Sequence, residues 1–168
     1  VNWTSMRMAN LMKLDDCNAI QAFAKMTEDE IQDRLQRDPD AAAEVAHALV
    51  ELVKVTGIEQ GVGLACSLSA IVLAGGRDRV KLFLDENGTL PVQDYARALS
   101  GDTAPGVQVQ AGHVIASFLS GGTTAQTAHF SPETLLSWLN GMIQIGSAIS
   151  ERNLIGLKTA AALFRSRD

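Results

Sequence analysis

Two long stretches of the chain carry no charged side chain: the run between Glu59 and Arg77, and the run between Asp102 and Glu133. Lys, Arg, Asp and Glu are the residues that keep one face of an element in water. A chain that omits them over such lengths must cover those stretches with itself or with a partner. Neither run is a membrane span, because Gly, Ser, Thr and Gln interrupt both, and their purely apolar pieces fall well short of the roughly 20 residues a bilayer needs. Both read as buried or partner-covered helices.

The second run contains the clearest amphipathic pattern. Val107, Ala111, Val114, Ile115 and Phe118 fall on one stripe of a 3.6-residue period, with Gln108, Gln110, His113 and Ser117 on the other side. Pro105 suits a first helical turn and Gly121 suits a helix end. In the first run, Val62, Leu64, Ala65, Cys66, Leu68, Ile71, Val72 and Leu73 are apolar nearly all round, which predicts a helix in the middle of a domain. Gly75-Gly76 ends it and is no phosphate loop, since no Gly-Lys-Ser/Thr follows.

Start and stop signals order the rest. Residues 1–14 predict a short helix, a docking arm or end cap, with Met8, Leu11 and Met12 on one side. Asp16 is expected to cap the next helix, whose Ile20, Phe23 and Ala24 point one way. Thr27 to Glu30 is a capping box, with Met26 stapling to Ile31. That helix is expected to stop at Asp38-Pro39, where Asp38 caps another helix with Val45, Leu49, Leu52, Val53 and Thr56 inside and Glu44, His47, Glu51 and Lys54 outside. Val80 to Val92 reads either as a β-hairpin round Asp85-Glu86-Asn87-Gly88 or as two short helices, and the helices are favoured because Pro91 would interrupt a ladder. Further on, Ser131-Pro132-Glu133 predicts a helix start for a face built from Leu135, Leu139, Met142, Ile143 and Ile149, and Ser150 caps a last helix.

Helices beginning near Ile58, Ala104 and Ser150 are spaced by about 46 residues, a period found in two- and three-helix solenoids. This register superposes Ala65 on Ala111, Ala70 on Ala116 and Val72 on Phe118. Pro105, Val107, Gln108, Ala111, Val114-Ile115 and Phe118 resemble the second helix of a HEAT or armadillo repeat, P-x-V-R-x-x-A-x-x-A-L-x-x-L, with Gln108 where the pattern has Arg. The resemblance covers that helix, residues 105–118. It implies a stack of helix pairs whose inner helices bind another protein.

The expectation is an all-α fold with 1–168 as a single helical domain. The domain is a compact multi-helix one, a short α-solenoid of about three repeats being one form of it. The alternative is a mostly α chain with one small β-hairpin at 80–92.

Chemistry is sparsely signalled. No G-x-S-x-G, H-E-x-x-H, C-x-x-C or Walker loop occurs. His47, His113 and His129 are not spaced as a ligand set. Asp85, Asn87 and Thr89 alternate as in a calcium loop, but the glycine stands fourth instead of sixth and no Glu stands twelfth. The acidic pairs sit at helix starts, where they oppose the macrodipole. No cofactor or metal is implied. A net charge of −5 argues against a dedicated nucleic-acid binder, although Arg77, Arg79 and Lys81 form one small basic cluster and Arg152, Lys158, Arg165 and Arg167 a looser one. Cys17 and Cys66 read as buried thiols, and without a leader pattern at the start the expected compartment is the cytoplasm.

These readings lead to a protein–protein interaction module, an adaptor or scaffold with Gln110, His113, Ser117 and Trp138 as partner-binding residues. The partner would be another protein or a second copy of the chain. A self-associating structural subunit of a secretion or viral assembly is one alternative. An enzyme or carrier with an interhelical pocket is the other.

Overall fold

The computed structural model describes residues 14–54, 59–100, 105–123 and 126, and among them every regular element is helical. In chain order these are α1 (Leu14–Ala24), α2 (Glu28–Arg37), α3 (Pro39–Lys54), α4 (Glu59–Ala74), a 3-10 helix (Arg77–Phe83), α5 (Val92–Ser100) and α6 (Pro105–Gly121). The predicted helices within 1–13 and 131–168 lie outside the described residues, as do His129 and Trp138.

Local chemistry sets the helix ends. Thr27 is extended, and its Oγ1 accepts the Glu30 N–H at 3.2 Å, so one orphan donor of the first turn of α2 is met. Met26 before the cap and Ile31 inside the helix both pack on the core. Asp38 serves two helices: its N–H donates to Arg34 O and closes α2, while its Oδ1 accepts from Ala41 N at 3.1 Å and opens α3 behind Pro39. Helix α1 begins at Leu14, so Asp16 lies inside its first turn instead of capping it.

The C-terminus of α4 shows where three otherwise orphaned carbonyls go. Gln32 Nε2 from α2 donates to Ile71 O. Val72 O accepts from Gly75 N and from the Arg79 guanidinium at 3.2 and 3.3 Å, and Leu73 O accepts from Gly76 N. Gly76 has φ +136°, open to glycine at little cost.

Residues 80–92 resolve as helix, turn and helix. The 3-10 helix ends at Phe83, Leu84 is extended, and Asp85 to Gly88 turn with Gly88 at φ +73°. Pro91 stands just before α5. The hairpin alternative fails because the segments on either side of the turn are helical, Arg77–Phe83 before it and Val92–Ser100 after it, while Asp85 Oδ1 holds the turn by accepting the N–H groups of Asn87 and Thr89 at 2.8 and 2.9 Å.

Helix α4 is central. It packs on α1, α2, α3, α6 and the 3-10 helix, most extensively on α6 and then α3, and no residue between Gly61 and Leu73 is exposed. Helix α6 also carries α5 on its flank. All these elements share one apolar cluster. At its heart Phe118 meets Phe83 and Tyr95 edge-on, each with ring centres 5.6 Å away, an arrangement suited to the ring quadrupoles. Among the described residues of α3 the predicted inner stripe is buried, and Ala42, Ala46, Ala48 and Val50 widen it.

Candidate functional site

Two surfaces qualify, one foreseen from the sequence and one not. The foreseen one is on α6. Ala111, Val114, Ile115 and Phe118 are fully buried as expected, whereas Val107 is only half-buried. The predicted polar side is not open to water either: Gln108, Gln110, His113 and Ser117 are all half-buried. Gln110, His113 and Ser117 fall one turn apart on a single strip. Trp138, the fourth predicted contact, is outside the described residues.

Helix α4 repeats this layout. From Ala65 to Ala74, and from Ala111 to Ser120, the two helices bury, half-bury and expose corresponding positions alike, with Ala70 against Ala116 the one difference. Leu64, Ser67 and Ile71 stand where α6 has Gln110, His113 and Ser117. Two neighbouring helices thus present half-buried strips of different polarity in one register. They approach closely at Gly63, where an added Cβ would lie 3.1 Å from Val107 Cγ2.

The unforeseen surface is an open groove of about 690 Å³ between α3 and the segment 82–94, within the range of pockets that hold small ligands. Its apolar wall includes Val50, Leu84, Leu90 and Pro91. Its charged groups are Glu51, Asp85, Glu86 and Asp94, with Lys54 as the one opposing cation among the lining residues. Lys54 Nζ lies 3.7 Å from Glu51, and Arg97 pairs with Asp94. His47 lies exposed on the rim. Sequence reasoning missed this site because its walls are distant in the chain; the one local signal was the irregular run LFLDENGTLPV.

The interior holds no activated nucleophile among the described residues. Burial pushes the Cys66 thiol up to about 12, so it stays protonated and unreactive. Tyr95 is raised still further, chiefly by burial, against a smaller lowering by the hydroxyl of Ser69. Ser69 and Tyr95 share a hydrogen bond of 2.7 Å and are both fully buried, which satisfies two polar groups inside the apolar cluster. Among the described residues no group of three His, Cys, Asp or Glu side chains is placed to hold a metal ion, and no helix is long and apolar enough to cross a membrane. Cys66 is buried as predicted; the side chain of Cys17 is outside the described ones. The basic cluster is dispersed: a 3-10 helix turns about 120° per residue, so Arg77, Arg79 and Lys81 point in three directions, and Arg79 is engaged on Val72 O.

Comparison of the chain with protein-family models, curated proteins and solved structures found no match.

Proposed function

We propose that this protein is an interaction module, an adaptor or scaffold built from stacked helix pairs, which receives another protein along the strip formed by α6 and its neighbour α4. The reading rests on one observation: helices offset by about 46 residues lie side by side and are buried in the same register. Stacks of that kind bury one side of each helix in a continuous core and leave the other side as an extended recognition surface. In this reading α3 and α5 are outer helices, α4 and α6 inner ones, and the resemblance to HEAT or armadillo repeats describes that pairing. Half-burial suits such a role, because it limits the side-chain freedom lost when a partner docks. Gln110, His113 and Ser117 supply donors and acceptors without a fixed charge to desolvate.

The test is affinity capture from the native source with the full chain and with a Gln110→Glu, His113→Glu, Ser117→Arg variant, far-UV circular dichroism being recorded for both. The expected result is a partner retained by the wild type and lost by the variant at equal helicity. Equal capture would contradict the reading.

A further inference from the structure

We infer that the groove between α3 and residues 82–94 is a second docking surface, and that its occupant is a short segment of a partner protein carrying Lys or Arg beside apolar anchors. This goes beyond the α6 strip and does not depend on it, since the groove is lined by α3 and residues 82–94 and by no residue of α6.

The shape comes first. Val50, Leu90 and Val92 are nearly closed off as a floor, while Leu82, Leu84 and Pro91 remain half-exposed above it. Apolar side chains from a partner would finish covering them, and removal of that surface from water drives docking.

Charge then selects the occupant. Four carboxylates face one ammonium among the lining groups. Asp94 is matched by Arg97, and Asp85 spends one oxygen on two backbone N–H groups of its own loop. Glu86 is exposed on the rim, and Glu51 is held by Lys54 only at 3.7 Å with both side chains wet. An exposed pair of that length is weak, so Glu51 can exchange Lys54 for an incoming cation. The rim therefore favours a basic segment over an acidic one and draws it in by long-range attraction. The loop is fit to hold such a wall in place: Asp85 Oδ1, the Gly88 N–H to Asp85 O bond and the Asp85 N–H to Thr89 O bond tie it at four points.

The probes are short fluorescein-labelled peptides that share Leu and Ile anchors and carry Lys and Arg, Glu and Asp, or Ser and Thr at the remaining positions. Binding to the full chain is read by fluorescence anisotropy. The basic set is expected to bind at least about tenfold tighter than the acidic set, to weaken with added salt, and to weaken at least about tenfold in a Glu51→Lys, Glu86→Lys variant. Amide shifts on titration with the basic set should centre on Val50, Leu84 and Thr89, a readout that needs no variant to fold. Absence of binding by any set, equal binding of the basic and acidic sets, or shifts centred on α6 would each overturn the proposal. Loss of capture by the α6 variant leaves this result unchanged, so the two readings fail separately.

Discussion

The hydroxyl pair of Ser69 and Tyr95 offers a stability test worked from the packing itself. Ser69 is fully buried, and the equally buried Tyr95 reaches it from α5 beside the ring of Phe118. Ser69→Ala would leave the Tyr95 O–H buried with no partner, at a cost of about 1–3 kcal/mol. Tyr95→Phe should cost less, about 0.5–1.5 kcal/mol, because a helical serine can turn its hydroxyl to a carbonyl of the preceding turn. With both hydroxyls gone nothing polar is stranded, so the double variant should lose about 1–2 kcal/mol less than the sum of the singles. Urea unfolding followed at 222 nm reads each value from the midpoint at constant slope. Single losses that add to within about 0.5 kcal/mol would refute the shared bond.

Three further perturbations follow from the same core. Cys66 has its folded pKa raised from 9.0 to about 12, so above pH 9 the unfolded chain releases the proton first. The stabilisation is therefore complete below pH 9 and lost as the pH rises towards 12, by up to about 1.4 kcal/mol per pH unit. Urea midpoints measured across that range should fall, and fall less in Cys66→Ala; identical slopes would contradict the burial. Gly106 has open space where a Cβ would go, whereas at Gly121 a Cβ would sit 2.5 Å from Val80 Cγ2. Gly106→Ala should raise stability by about 0.5–1 kcal/mol and Gly121→Ala lower it by about 1–3 kcal/mol, the sign difference being visible in thermal midpoints. In a Cys17→Ser, Cys66→Ala background, Gly63→Cys with Val107→Cys should form a disulfide under mild oxidation, since those positions are in contact across α4 and α6. Mass spectrometry after tryptic digestion would find the linked peptides, or only separate ones if the helices do not stack there.

What could be read in advance was local. Thr27 with Glu30, Asp38 before Pro39, and the Gly75-Gly76 stop each depend on residues within four positions of one another, and each marks a helix end where expected. The all-apolar character of α4 was equally direct evidence of its central place. A reciprocal pair of bonds went unread: Thr123 and Gln126 bond each other's N–H groups at 2.9 and 3.3 Å, inside the polar run TTAQTAHFS. Nonlocal features were out of reach. Ser69 looked like one more small residue in an apolar helix until Tyr95 met it, and His47, exposed as expected, also stands on a groove that only the distant segment 82–94 completes. The polar side of α6 fell on the expected residues, in a run read as buried or partner-covered, and those residues are half-buried; periodicity reports which way a side chain points and not how closely its neighbours cover it.

The most direct test of the account is photo-cross-linking from the α6 strip. With p-benzoylphenylalanine at Ser117, and as a control at exposed Glu30 on α2, irradiation of the full chain in extract from its native source should yield a covalent adduct from position 117 and none from position 30. Adducts from both positions alike, or from neither, would contradict a partner-binding face on α6.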